Sequence, residues 1–229
     1  MTILKKYPSR IVAIHNHIAG VYTLELESLG KPFKYEPGQF LHLALDEYDP
    51  SSQWPDSRCF SMQSNPDEET IKITYAVKGQ FTKQMEQQLQ VGSEVCLKLP
   101  YGDLFTQPHN KANTVFIAGG TGVTPFLSLF THESFNEYIN PHIYLGFRSK
   151  EYNIYHEELN RMQTIRVIRN EFVKISVSYQ DIDIHSIFNE NGSNNDYFIS
   201  GPPVMIKAFK QTLIAKGVPA KQILSDDWE

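Results

Sequence analysis

Within the stretch RCFSMQSNP, Arg58, Phe60 and Ser61 place a fixed cation, an aromatic ring and a hydroxyl within four residues. In an extended strand, residues two apart project to one face, so Arg58 and Phe60 point together and Ser61 points to the other side. A cation beside an exposed ring suits a flat, anionic ligand. An edge strand with a solvated arginine and a core phenylalanine would give the same pattern. Asn65-Pro66 and the acidic run after it mark a turn, because proline fixes its own φ and restricts the residue before it.

Three other stretches could hold anions. FIAGGTGVTPF, Phe116 to Phe126, reads as a buried strand running into glycines and then a helix. Glycines let the backbone approach a ligand, and a helix N-terminus presents N–H groups to an anion. In an open parallel sheet ligands sit at the carboxyl ends of the strands, so this turn suits a pyrophosphate or similar group. It lacks the Walker lysine, which disfavours ATP, and it is not G-x-G-x-x-G. A turn made only for packing is the alternative. SGPPVMIKAF, Ser200 to Phe209, repeats the arrangement, with Gly201 closing a strand and two prolines suited to a first helical turn. AVKGQFTKQM, Ala76 to Met85, sets Gly79 before a helix that should start near Thr82, a suitable N-cap.

Two halves of different pattern must position these pieces. The first hundred residues alternate in short strands: SRIVAIHNHIAGVYTLELES, GQFLHLAL, TIKITYAV and SEVCLKL. Gly, Pro and Asp turns divide them, which suggests a small antiparallel barrel or sandwich. One helix interrupts, with Met85 and Leu89 on one face and Gly92 as its end. The polar stretch TQPHNKAN, residues 106–113, is the expected boundary, giving domains 1–108 and 109–229. Beyond it, solid apolar runs (TVFIAGG, HIYLGF, VKISVSY, DYFISG) alternate with helical segments, which implies a parallel sheet covered on both faces. The fold class expected is an antiparallel β-barrel followed by an α/β parallel-sheet domain.

These motifs, in this order and over nearly the whole chain, resemble the ferredoxin–NADP reductase superfamily. PGQF looks like an early barrel strand, RCFS like the flavin motif Arg-x-Tyr/Phe-Ser/Thr, KGQFT like the Gly-x-x-Ser/Thr phosphate turn and LPYG like the last barrel strand. AGGTGVTP looks like the pyridine-nucleotide turn, GFR like its second strand, SGPPVM like Cys-Gly-Pro-Pro-x-Met and DDW like the acidic-x-aromatic close. The resemblance implies an FAD-binding barrel and an NAD(P)-binding domain. It implies that Arg58 holds a flavin phosphate, that Phe60 packs on the isoalloxazine and that Ser61 hydrogen-bonds near flavin N5. Because Ser61 and Phe60 alternate, a strand touching one ligand with both must bend or end there. Cys59, Val77, Lys78, Gly79, Gln80, Phe81 and Thr82 join the flavin site. The second anion site at Gly79 favours FAD over FMN.

On the nucleotide side the resemblance implies Gly119, Gly120, Thr121, Gly122, Thr124 and Pro125, with Arg148 and Ser178 further along and Gly201, Pro202 and Met205 lining the nicotinamide. Ser200 stands where many relatives have cysteine. Tyr179 follows Ser178 where NADPH-specific relatives often carry arginine, and Asp181 and Asp183 would accept from a ribose diol, so NADH is favoured over NADPH. Ser61, Ser200, Asp226 and Trp228 are the expected catalytic residues. No iron–sulfur domain is expected on either side, so a separate redox protein or small molecule would accept the electrons. The alternatives are a free-flavin reductase, a non-catalytic flavin-bound regulatory subunit and a nucleotide-binding module without flavin.

Composition narrows the field. The formal net charge is -5 and neither half is basic, which disfavours nucleic acid. No apolar run approaches the roughly 20 residues of a membrane span, and the opening MTILKKYPSR lacks a secretory core. Cys59 and Cys96 make neither a disulfide framework nor an iron–sulfur site, the eight histidines show no metal spacing, and no nucleophile elbow is present. A cytoplasmic protein, compatible with a monomer and without a metal, is expected.

Overall fold

The computed structural model describes residues 3–49, 51–169 and 171–226. The chain forms two compact units that divide between Asp103 and Leu104. The expected boundary lay at 108/109. Leu104 and Phe105 pack into the core of the second unit, so the polar run that follows them is surface loop and not the division.

The first unit holds one six-stranded antiparallel sheet. Its strands are β1 (Lys5–Ile18), β2 (Val21–Ser28), β3 (Phe40–Ala44), β4 (Ser57–Ser61), β5 (Ile71–Ala76) and β6 (Glu94–Tyr101), in the order β4-β3-β6-β1-β2-β5. The sheet curls until its ends almost meet. Just past β4, the Gln63 amide donates to Lys72 O on β5 at 2.8 Å, and Lys72 N donates to Ser64 Oγ at 3.0 Å. The inward residues of alternating strands, among them Ile11, Leu24, Leu41, Leu43, Ile73 and Leu97, are completely buried. Phe40 of PGQF stacks on Tyr101 of LPYG at 5.4 Å, so these two distant motifs meet on neighbouring strands.

Helix α1 (Gln80–Gln88) sets Phe81 and Met85 into the barrel core. Its bounds differ from expectation at both ends. Gly79, not Thr82, occupies the N-cap position, and the helix stops at Gln88. Gly92, at φ +93, belongs to the turn before β6, where its amide donates to Ile11 O.

The second unit is a five-stranded parallel sheet of order β11-β10-β7-β8-β9. Its strands are β7 (Thr114–Gly119), β8 (His142–Gly146), β9 (Lys174–Ser178), β10 (Asp196–Ser200) and β11 (Ile223–Ser225). Helices α2 (Thr124–Phe130) and α3 (His156–Ile168) share a core with Phe116, Ile143 and Phe198 on one face. Helices α4 (Ile184–Asn191) and α5 (Pro203–Ala215) share another with Val115, Ile117 and Tyr197 on the opposite face. Strands buried on both sides explain the solid apolar runs. Arg166 of α3, 2% exposed, donates to the Phe135 and Tyr138 carbonyls and pairs with Glu171, which ties α3 to the neighbouring 3₁₀ turn. No helix among the described residues is long and apolar enough to cross a membrane.

Candidate functional site

The two units each carry one cluster of the expected residues. In the first, β4 ends at Ser61, which meets the requirement that the strand stop once Phe60 and Ser61 have both been presented. Cross-strand pairing sets Arg58 opposite Leu43 and Phe60 opposite Leu41, both core-facing residues, and Ser61 opposite Phe40 on the outer face. Phe60 is 9% exposed and meets Tyr75 edge-on at 6.2 Å, so its ring is part of the barrel core. Arg58 remains half-exposed. It donates to Asp56 Oδ1 and to Ser57 O, each at 2.7 Å, and its guanidinium lies 5.1 Å from the ring centre of Phe81. Arg58 and the first turn of α1 therefore belong to one place.

That first turn is built around Thr82, the third helical residue. Its Oγ1 accepts from the amides of Lys78 at 3.0 Å and Gly79 at 3.1 Å, and donates back to Gly79 O. The first intrahelical bond runs from Lys83 N to Gly79 O. The amides of Gln80, Phe81 and Thr82 precede it and point out of the helix end. Gly79 is extended, a conformation open to any residue, and a Cβ added there would find no atom within 4 Å. Neither backbone strain nor protein packing calls for glycine here. The open space beside three amides and the Arg58 cation is what an anionic group would fill.

Val77 joins the core rim and donates its amide to Gly20 O at 2.8 Å. Cys59, counted with the flavin site from the motif, turns its side chain to the other face, where its sulfur lies 3.4 Å from His42 Nε2. Asp56, which holds Arg58, escaped the sequence reading. Its only signal is the two-residue spacing to Arg58 along one strand face.

In the second unit the parallel sheet brings Gly119, Gly146, Ser178 and Ser200 to one edge, the carboxyl ends of β7, β8, β9 and β10. A 3₁₀ turn, Gly120–Val123, separates β7 from α2, which starts at Thr124 as expected. Packing explains most of these glycines. A Cβ on Gly122 would stand 2.5 Å from the backbone of Gly201, and one on Gly119 would stand 2.9 Å from Met205 Sδ and 3.2 Å from Pro202. Gly120 differs: it sits at φ +57 with open space around it. Thr124 is buried and donates to Thr121 O at 2.9 Å, and Pro125 occupies the first turn of α2.

Ser200, 1% exposed, donates its hydroxyl to Asp226 Oδ2 at 3.2 Å, and the Asp226 amide donates to Ile199 O. The pairing of β10 with β11 sets up this contact. Trp228 lies outside the described residues. Arg148 is exposed, with its guanidinium 5.4 Å from the Tyr152 ring centre. Ser178 exchanges hydrogen bonds with the backbone of Gln180, both at 3.1 Å. Asp181 is exposed, but Asp183 is committed elsewhere. It caps α4, accepting from His185 N at 2.9 Å and Ser186 Oγ at 2.6 Å, and these bonds hold its carboxyl below the usual carboxylate range. No group of three metal-ligating side chains occurs among the described residues.

The antiparallel, nearly closed barrel and the parallel α/β unit match the fold of solved ferredoxin reductases. Residues 116–211 match the oxidoreductase NAD-binding domain family. The chain is 28% identical over 235 residues to the reductase component of propane 2-monooxygenase from Rhodococcus jostii (strain RHA1), a match covering 95% of this chain and 61% of that protein. Among solved structures, the ferredoxin reductase in carbazole 1,9a-dioxygenase superposes with a TM-score of 0.72 at 21% identity, over 99% of this chain and 70% of the other. The ferredoxin NADP+ reductase from Neisseria gonorrhoeae with bound FAD and NADP superposes with a TM-score of 0.77 at 17% identity, over 99% of each chain. The chain is thus similar to the oxidoreductase NAD-binding domain over residues 116–211 and shares the fold of these solved reductases.

Proposed function

We propose that this chain is an NAD(P)H-dependent flavoprotein reductase that binds FAD in its barrel unit and nicotinamide nucleotide in its α/β unit. It would pass electrons to a separate acceptor, a redox protein or an oxygenase component. The observation that carries the reading is the anion cradle of Arg58, the α1 N-terminus and the open space at Gly79. The chemistry of that cradle, a fixed cation plus convergent amides, matches a dinucleotide pyrophosphate. Bound FAD would supply hydride acceptance and stepwise electron release.

The protein's own groups would orient and hold. Arg58 and the amides of Gln80, Phe81 and Thr82 would bind phosphate oxygens, and Phe60 would support the flavin ring from the barrel side. The Ser61 hydroxyl would donate near flavin N5. Gly120 leaves backbone accessible to the nucleotide, while Gly119, Gly122, Gly201, Pro202 and Met205 hold the β7 and β10 turns together. Ser200 would orient the nicotinamide, with Asp226 fixing its hydroxyl.

NADH is preferred in this reading. Tyr179 stands beside Ser178 where a 2′-phosphate would need a cation, and Asp181 would repel that phosphate. Balanced charge and two unbridged cysteines support a cytoplasmic monomer. Anaerobic spectra of the purified protein, before and after NADH and then NADPH, test the proposal. A flavin band bleached by NADH supports it. A band that neither nucleotide bleaches would point to a regulatory subunit, and absence of FAD binding would remove the proposal.

A further inference from the structure

On the outer face of the barrel, away from Arg58 and Phe60, a thiol meets an imidazole. Cys59 and His42 are direct cross-strand partners on β4 and β3. The Cys59 sulfur lies 3.4 Å from His42 Nε2 and 3.8 Å from Nδ1. Ser57, next on the same face of β4, sets its Oγ 3.4 Å from His42 Nδ1 and accepts the Trp54 indole N–H at 3.0 Å. A hydroxyl oxygen has two lone pairs. With one taken by the indole, the other can accept from an Nδ1–H, and in that tautomer the Nε2 lone pair faces the thiol.

The surroundings fit a base. The Tyr101 ring lies 4.5 Å from the imidazole. Lys98 pairs with His42 from the β6 side, and its ammonium lies 5.8 Å from the Trp54 ring and 5.9 Å from the Tyr101 ring. Burial and the Lys98 charge hold His42 below the usual histidine range, which favours the neutral ring over the imidazolium. Cys96 offers an internal control. Its cross-strand partners are Ala44 and Pro8, neither of them a base. Strand β3 separates Cys59 from Cys96, which at about 4.8 Å per strand puts them too far apart for a mutual disulfide.

We propose that Cys59 and His42 form a reactive pair that exchanges with low-molecular-weight disulfides of the glutathione class and becomes capped as a mixed disulfide. His42 Nε2 takes the thiol proton as the sulfur attacks one sulfur of the small disulfide. The S–S bond of the small molecule breaks as the new one forms, and the departing thiolate takes the proton back from His42. Cys59 is oxidised, and the small disulfide is reduced to one thiol and one half of the mixed disulfide.

The test uses the full chain as purified, treated with excess oxidised glutathione at pH 7, with adducts followed by intact mass. Cys96→Ser leaves Cys59 as the only thiol, and Cys59→Ser leaves Cys96. Capping of the Cys96→Ser protein is expected to be at least tenfold faster than capping of the Cys59→Ser protein. Adding His42→Asn to Cys96→Ser should slow capping at least tenfold and leave a rate that rises only with ordinary thiol ionisation near pH 8.5. Should His42→Asn lose the fold by circular dichroism, Trp54→Phe decides, since it keeps an aromatic side chain and removes the N–H that Ser57 Oγ accepts; a several-fold slowing is expected. Equal rates at the two cysteines overturn the proposal. So does a folded His42→Asn protein, or a Trp54→Phe protein standing in for it, that is capped as fast as its parent.

Discussion

Gly122 lies so close to Gly201 that a methyl group on the first would stand 2.5 Å from the backbone of the second. Two turns that leave neighbouring strands are thereby joined without side chains between them. Gly122→Ala should cost about 1–3 kcal/mol, the range for overpacking a close contact. Gly120→Ala meets no atoms and should cost only about 1 kcal/mol for its left-handed backbone. Urea unfolding read by probes in the α/β unit would rank the two; a Gly122→Ala protein no less stable than Gly120→Ala would contradict the packing argument.

Ser200 and Asp226 should act as a coupled pair. Removing either partner breaks the same 3.2 Å hydrogen bond, so the double variant Ser200→Ala/Asp226→Ala should lose less than the two single variants combined, by about 0.5–1.5 kcal/mol. In rapid-mixing reduction by NADH, Ser200→Ala is expected to slow flavin bleaching about tenfold. Strict additivity would show that the pair does not work together.

Arg58→Ala should weaken FAD binding by about 1.5–3 kcal/mol, the loss of a charge-assisted hydrogen bond. Thr82→Ala removes the acceptor for two amides and should destabilise the barrel unit by about 1 kcal/mol, as loss of a cap does. Thr82→Ser, which keeps the hydroxyl, should restore that stability. Flavin titration and thermal unfolding separate the two effects, and FAD affinity unchanged in Arg58→Ala would move the phosphate site elsewhere.

Asp183 gives a pH prediction. Its folded-state carboxyl titrates below the ordinary range because Ser186 and His185 donate to the charged form. A depressed carboxylate contributes stability above its unfolded value, near 3.9, and loses it as pH falls through the folded value. Asp183→Asn should therefore narrow its gap to the parent as pH drops from 6 to 3. A gap in melting temperature that stays constant over that range would assign the cap no charge-dependent role.

Much of the fold was legible because burial leaves a period in the sequence. Alternation marked the barrel strands, and unbroken apolar runs marked β7, β8 and β10. Helix α4 and strand β11 went unread. Asp183 and Gly192 bracket α4 as cap and stop, but its eight residues are too few to show a stable period. The three residues of β11 carry no pattern of their own and are a strand only because β10 lies beside them. At the site, the motif named Arg58 but not Asp56, and it counted Cys59 with the flavin although alternation turns that side chain away. The glycines of the nucleotide turn were read as room for a ligand. Gly119, Gly122 and Gly201 also serve close packing, which depends on residues some eighty positions apart and is invisible locally.

The strand order of the α/β unit also bears on how the protein is made. Strand β7 lies between β8 and β10, and β10 leaves the ribosome long after β7 and β8. Until residues 196–200 emerge, one flank of β7 presents unpaired backbone groups and a wholly apolar surface to the cell, a template for wrong pairing. A nascent chain stalled before β10 should thus be a preferred client for chaperones, while the barrel, whose six strands all lie ahead of Asp103, has its whole sheet available to pair.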